Sequence, residues 1–207
     1  MYFRILHDEL SGAASYLLAD LESRAAVLVD PRGVDLAVLQ AMLDEHRLRL
    51  HWVLRTHEHD SHGPGEAEAL RALGAPCIVH QLPSGAGAIL PFGNEHCRVL
   101  LTPGHTRSCL SFLWRDRLFC GDLFAVDACP DQPGPVWPEA LWESATQNIF
   151  MLPAETLLFS AHAQSGHLTS SVLEQRCSHP WFAGASRDEF LARVRTSVLT
   201  NERLNHE

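Results

Sequence analysis

The chain has 207 residues, of which 46% are hydrophobic and 20% charged, and a formal net charge of −9. This composition is typical of one water-soluble globular domain, here residues 1–207. The negative charge argues against a nucleic-acid surface, and no apolar run approaches the length that spans a membrane. All 16 basic residues are Arg, which excludes catalysis by a lysine. The six cysteines form no CxxC pair and the chain begins without an apolar leader, so we expect a cytoplasmic protein with reduced thiols.

Hydrophobic periodicity predicts strands and helices in the first half of the chain. The predicted strands cover 15–19, 25–30, 48–54 and 77–80. The predicted helices cover 34–46 and 66–73. Residues 81–95 contain three Gly and two Pro, which favours a loop.

The second half mixes the same elements without strict alternation. The predicted strands cover 98–101, 109–114, 117–120 and 156–160, and the predicted helices 141–152, 170–177 and 187–204. Residues 127–138 carry four Pro and predict a long loop. This order of elements predicts two sheets with helices outside them.

A cluster of histidines directly follows the predicted strand 48–54. His57 and His59 are two residues apart, so on extended backbone their imidazoles point the same way. His62 follows, just before a turn at Gly63 and Pro64 that can bring it back toward the same point. Because neutral imidazole is the commonest protein metal ligand, the cluster predicts a metal site.

Three more metal-binding side chains end predicted strands. His105 follows Thr102-Pro-Gly, Asp122 follows Cys120-Gly, and His162 follows Ser160-Ala. The small residues before them allow the backbone to approach a shared centre closely. Together with the histidine cluster they supply donors for one or two metal ions.

The order of these motifs resembles the metallo-β-lactamase fold, an α/β, four-layer αββα sandwich. Within that superfamily the chain looks most similar to the persulfide dioxygenases. The similar segments are Tyr16-Leu-Leu-Ala-Asp, Ala26-Val-Leu-Val-Asp-Pro, Thr102-Pro-Gly-His-Thr-x-x-Cys109, Gly121-Asp122, Ser160-Ala-His162 and Glu174-x-Arg176. The resemblance implies one non-haem Fe(II) held by His57, His105 and Asp122. It implies oxidation of a small thiol persulfide, such as glutathione persulfide, by O₂ to sulfite and thiol. It also implies a homodimer, although the sequence shows no interface.

Two departures from the family pattern bear on the metal and on the substrate, and Ser108 stands where a glycine is usual before Cys109. The motif His-x-His-x-Asp-His has Ser61 at its fifth position, with the aspartate one place earlier at Asp60. In two-metal hydrolases of this fold the missing aspartate binds the second metal, so Ser61 favours a single metal. Asp131 stands where the resemblance leads us to expect an arginine, which bears on glutathione recognition.

Two alternatives stay open at the level of the sequence. A zinc-dependent hydrolase of a thioester or lactone would use His59, His62 and His162 near the site or at a second metal. The second alternative is a metal-binding sensor that has this fold but catalyses no reaction. For substrate binding the candidates are Arg55, Arg107 and Cys129.

Overall fold

Two β-sheets packed face to face form the centre of this computed structural model, which describes residues 2–59, 64–79, 87–132, 134–164 and 166–204. Within these ranges the first sheet contains, in spatial order, β1 (Tyr2–His7), β2 (Ala14–Asp20), β3 (Ala25–Val29), β4 (Arg49–Leu54) and β5 (Cys77–Ile78). The second sheet contains β6 (Ile89–Phe92), β7 (Glu95–Leu101), β8 (Leu110–Trp114), β9 (Arg117–Phe119), β10 (Leu157–Gln164) and β11 (His167–Ser171). In the second sheet, as in the first, strands that are consecutive in the chain are neighbours in space. Strands β9 and β10 are parallel.

Five α-helices accompany the sheets in the described part of the chain. They are α1 (Leu36–Glu45), α2 (Pro64–Arg71), α3 (Pro138–Glu143), α4 (Val172–Ser178) and α5 (Arg187–Leu204). A π-helical turn, Ser144–Ile149, continues α3.

Strand β2 is buried on both faces, and its alternating side chains therefore serve two different layers. Tyr16 and Leu18 point into the core between the two sheets, where the Tyr16 ring lies 5.0 Å from that of Phe119. Leu17 faces the opposite way and packs in a separate cluster with Leu39 of α1. One strand thus contacts both the facing sheet and an outer helix.

The second sheet is covered on its outer face in the same manner. Leu118 of β9 and Leu158 of β10 pack with Leu141 of α3 and Phe190 of α5. The resulting layers are helix, sheet, sheet and helix, which confirms the predicted αββα sandwich.

The structure corrects the predicted elements at the sheet edges. Strands β1 and β11 were not predicted; both lie at the edges of their sheets, and each leaves some of its side chains exposed. The predicted loop 81–95 was wrong for Ile89–Phe92, which is the edge strand β6. Pro91 obscured this strand, although an edge strand tolerates a residue without a backbone N–H. No helix in the described ranges is long and apolar enough to cross a bilayer.

Candidate metal centre

Four side chains of types that can bind a metal converge at one edge of the sandwich. His57 follows β4, His105 follows β7, Asp122 follows β9, and His162 lies within β10. The ring centroid of His57 is 4.9 Å from that of His105 and 6.3 Å from that of His162. The sequence placed His162 after a strand ending at 160, but β10 continues through an irregularity, and His162 forms a bridge with Ala13.

A chain of hydrogen bonds determines the tautomer of His57. Asp30, at the end of β3, accepts hydrogen bonds from the Thr56 backbone N–H at 2.7 Å and from the Thr56 hydroxyl at 2.8 Å. Because that hydroxyl uses its proton on Asp30, it must accept from His57 Nδ1, which lies 3.0 Å away. The proton of the neutral imidazole is therefore on Nδ1, and Nε2 carries the lone pair.

The Nε2 atom of His57 lies 3.3 Å from Oδ2 of Asp122. A lone pair facing a carboxylate oxygen is repulsive, and a cation between the two atoms removes that repulsion. The same contact explains why the pKa of His57 is raised well above its ordinary value, even though burial acts in the opposite direction. The pair therefore fits a metal ion as well as it fits a proton.

Asp122 is fully buried and held from one side by His162. Its Oδ1 accepts from the His162 backbone N–H at 3.1 Å, and its Oδ2 contacts His162 Nδ1 at 2.8 Å. Burial raises the carboxyl pKa, but the hydrogen bonds from His162 and His57 outweigh it and hold the pKa far below its usual range. Asp122 is consequently an anion in this pocket, as a metal ligand must be.

The imidazole of His105 has one ring nitrogen without a hydrogen-bond partner among the described residues. Nε2 lies 3.3 Å from the carbonyl oxygen of Gln132, which can only accept, so Nε2 carries the proton. Nδ1 is buried and has no hydrogen-bond partner there. Burial lowers the pKa of His105 to about 4, which keeps the ring neutral near pH 7. A buried, unprotonated imidazole nitrogen fits a metal ligand.

Gly121 brings the segment that follows β9 close to His57. Its φ of +56° lies in the left-handed region, which glycine adopts without strain. A Cβ at this position would lie 2.6 Å from the Thr56 hydroxyl oxygen and 3.3 Å from His57 Nδ1. The glycine before Asp122 is therefore required by the hydrogen-bond chain itself.

Two overlapping sets of donor atoms form around His57. The ligand atoms within each set lie within 4.8 Å of one another. One set contains His57, His59 and His105, and the other contains His57, Asp122, Cys129 and His162. A third set, away from His57, combines His59, Cys129 and Asp131. Of the predicted iron ligands, His57 is common to the first two sets, whereas His105 and Asp122 belong to different ones.

The candidate substrate residues occupy different surroundings. Arg55 is buried and lines a cavity of about 530 Å³ that also exposes His57 and His162. Arg107 is exposed, and its guanidinium lies 5.8 Å from the centre of the Trp137 ring, outside the lining of that cavity. Cys129 is buried, with Sγ 3.2 Å from Nε2 of His59. Asp60, Ser61 and His62 lie outside the described residues, so their predicted roles stay predictions.

The converging side chains can be recognised in the sequence, but the groups that orient them are less apparent. Asp30 and Thr56 received no role because they are 26 residues apart in the chain. Both residues follow the buried end of a strand, and polar residues at such strand ends commonly belong to functional sites, so this position was the feature that could have identified them.

The chain is similar along most of its length to characterised proteins. It is 34% identical to the human protein named persulfide dioxygenase ETHE1, mitochondrial, over 86% of this chain and 74% of the relative. The chain belongs to the persulfide dioxygenase family of the metallo-β-lactamase superfamily. The crystal structure of ETHE1 from Myxococcus xanthus matches this family member with a TM-score of 0.79 and 31% identity, covering 97% of this chain and 92% of that chain.

A second enzyme class of the superfamily is also similar to this persulfide dioxygenase family member. The hydroxyacylglutathione hydrolase of Methylococcus capsulatus is 36% identical over 71% of this chain and 60% of its own length. No family model matches the chain. The named relatives are enzymes, which confirms the prediction of an enzyme of this superfamily.

Proposed function

We propose that this family member is a mononuclear non-haem Fe(II) sulfur dioxygenase that oxidises a low-molecular-weight persulfide. With glutathione persulfide the balanced reaction is GSSH + O₂ + H₂O → GSH + H₂SO₃. The name of the human relative and the crystal structure of a bacterial ETHE1 support this assignment.

The observation that carries the proposal is the contact between His57 and Asp122, with the ring of His105 4.9 Å from that of His57. His57 turns Nε2 toward Oδ2 of Asp122 at 3.3 Å, and His105 keeps a buried nitrogen without a hydrogen-bond partner among the described residues. Two imidazoles and one carboxylate are the donor set of non-haem Fe(II) oxygenases, and they leave coordination positions open. When bound there, iron supplies the redox chemistry between O₂ and the sulfane sulfur.

The residues of this chain position the reactants. Asp30, acting through Thr56, fixes the His57 ring, while His162 fixes the carboxylate of Asp122. The cavity beside His57 has a volume of about 530 Å³, within the range of small-molecule sites. Arg55 places a positive charge on its wall, where a substrate carboxylate can bind. The thiol carrier is therefore expected to be anionic.

Metal content combined with two activity assays tests the proposal. Protein purified without oxygen should contain about one iron per chain and consume O₂ with glutathione persulfide. Zinc-loaded protein should not consume O₂, because zinc has no redox chemistry. Two zinc ions per chain together with hydrolysis of a hydroxyacylglutathione thioester would contradict the proposal.

A zinc-dependent hydrolase is the second candidate, and one observation favours it. His57, His59 and His105 offer three imidazole nitrogens within 4.8 Å of one another. Three histidines with a fourth position left for water form a common catalytic zinc site, which lowers the pKa of that water to about 7. The similarity to hydroxyacylglutathione hydrolases agrees with this alternative.

A further inference from the structure

We propose that Tyr16 and Ser160 are positioning residues of the metal centre, because their hydroxyl groups hold a bulge of β10 in the shape that directs His162 at Asp122. The inference rests on the proposed metal site and adds two side chains that lie outside the proposed ligand set. Part of its test needs no metal, so it can succeed or fail separately from the dioxygenase assignment.

Strand β10 bulges where it passes the metal centre. Its pairing with β11 is irregular between Phe159 and Gln164, so residues 160–163 leave the regular ladder. A bulge beside a site commonly redirects a side chain. The redirected side chain here is His162, whose backbone N–H and Nδ1 contact the two carboxylate oxygens of Asp122 at 3.1 and 2.8 Å. The shape of the bulge therefore sets the orientation of this carboxylate.

The hydroxyl of Tyr16 reaches the bulge from the facing sheet. Tyr16 lies in β2, is fully buried, and donates a hydrogen bond of 2.5 Å to the carbonyl oxygen of Ser160. Burial raises the pKa of Tyr16 well above its ordinary value, so the phenol keeps the proton that it donates. The centroid of its ring lies 5.0 Å from that of Phe119 and 5.6 Å from that of Phe159. Packing thus fixes the hydroxyl at the start of the bulge.

The hydroxyl of Ser160 stabilises the bulge from within. It donates to the carbonyl oxygen of His162 at 2.6 Å and lies 3.3 Å from the carbonyl oxygen of Leu168 in β11. These carbonyl groups lie at the irregularity, where the ladder does not supply regular partners. The contact with His162 spans two residues, so it restricts the backbone that carries the imidazole. Ser160 therefore acts on Asp122 through His162.

Two loops hold the rest of the bulge. The Ala161 N–H donates to the carbonyl oxygen of Gly121 at 3.2 Å, directly before Asp122 in the chain. The Ala163 N–H donates to the carbonyl oxygen of Gly12 at 2.8 Å. Both loops flank the segment without replacing the two hydroxyl groups. Removing either hydroxyl leaves a carbonyl group without its donor and allows the bulge to relax.

Cobalt substitution measures the position of the carboxylate without catalytic turnover. Tyr16→Phe and Ser160→Ala should each weaken Co(II) binding by about tenfold, the lower end of the range for groups that support a ligand. Each should also change the visible absorption bands of the bound Co(II), because these bands depend on the arrangement of the ligands. Chelator competition measures the affinity under conditions in which every variant is folded. A loss of stability alone would leave both the affinity and the bands unchanged.

The chain offers a control for each variant. Tyr2 is the second of its two tyrosines and is also buried, but its hydroxyl forms no hydrogen bond within the described part of the chain. Tyr2→Phe should therefore bind Co(II) with the affinity and the absorption bands of the wild type. Ser160→Thr keeps the hydroxyl, so it should retain the affinity that Ser160→Ala loses.

Amide hydrogen exchange of the metal-free protein is the second measurement. In Tyr16→Phe and Ser160→Ala, the amides of His162 and Ala163 should exchange about tenfold faster, as expected for the loss of one hydrogen bond. The amide of Phe112 in β8 should keep its wild-type rate, which distinguishes local loosening from global unfolding.

Unchanged Co(II) affinity and absorption bands in Tyr16→Phe and Ser160→Ala, or equal losses in Tyr2→Phe, would overturn the inference. If Tyr16→Phe does not fold, the comparison of Ser160→Ala with Ser160→Thr decides it. If the wild type binds no Co(II), the metal site is wrong, and unchanged exchange at His162 would overturn the positioning role as well. The expected cobalt results in a protein that does not oxidise persulfides would support the positioning role while contradicting the dioxygenase.

Discussion

Asp30 fixes the imidazole of His57 through a single shared hydroxyl group. The Thr56 hydroxyl donates to Asp30 at 2.8 Å and lies 3.0 Å from His57 Nδ1. This relay connects the end of β3 to the segment after β4, and it leaves Nε2 of His57 available for a metal. Supporting groups of this kind set both the tautomer and the orientation of a metal-binding histidine.

Asp30→Asn should weaken metal binding by about 10- to 100-fold. If the asparagine oxygen accepts from the Thr56 N–H, its amide N–H₂ faces the Thr56 hydroxyl and makes that hydroxyl donate to Nδ1. The imidazole proton then moves to Nε2, the nitrogen proposed to bind metal. Competition with a chelator measures the affinity. The control Thr56→Ser keeps the hydroxyl, so its metal affinity should equal that of the wild type. Equal metal affinity of Asp30→Asn and the wild type would disprove the role of the relay.

Gly121→Ala should destabilise the protein and reduce its metal affinity. The new Cβ meets the Thr56 hydroxyl oxygen at 2.6 Å, so a cost of about 1–3 kcal/mol for displacing Thr56 adds to the backbone strain. Gly184→Ala is the matched control, because Gly184 has a φ of +63° and nothing within 4 Å of its added Cβ. It should cost only about 1–2 kcal/mol in strain. Urea unfolding measures the stability of both variants, and metal titration measures their metal affinity. Equal losses of stability and of metal affinity in the two variants would argue against the steric account.

Asp20→Asn should alter how stability depends on pH. Hydrogen bonds from the Ser23 hydroxyl and the Asn94 N–H lower the pKa of Asp20 from 3.8 to about 2. The folded state therefore favours the carboxylate, and this stabilisation is present above pH 3.8 and lost as the pH falls through about 2. The stability difference between wild type and Asp20→Asn should be constant from pH 7 to 5 and shrink below pH 4. Urea unfolding of metal-free protein measures it; a difference that grows on acidification would contradict the assignment.

Arg55→Met should raise the KM for glutathione persulfide about 10- to 100-fold with little change in kcat, the range expected for a lost hydrogen bond to a charged group. Arg55 lines the cavity beside His57, whereas Arg107 does not. Arg107→Met therefore serves as the control and should leave the KM within about twofold. A persulfide without carboxylates tests whether Arg55 acts by binding a substrate carboxylate. The KM for that persulfide should be insensitive to Arg55→Met. Equal effects of Arg55→Met on both substrates would refute carboxylate recognition.

The sequence predicted the strand-end donors because each follows an apolar strand, and that local pattern survives in the fold. His57, His105 and Asp122 follow three such strands at one edge of the sandwich. The relay from Asp30 was not predictable in this way, because it depends on contacts between distant segments. His162 was misplaced for a related reason, since the irregularity in β10 depends on pairing with β11.

Oxygen uptake by the iron-loaded protein tests the central claim most directly. Wild-type protein supplied with glutathione persulfide should consume one O₂ for each sulfite formed, and His57→Ala, Asp122→Ala and His105→Ala should each lose this uptake. Absence of uptake by protein that carries one iron per chain, or uptake unchanged in His57→Ala, would contradict the account.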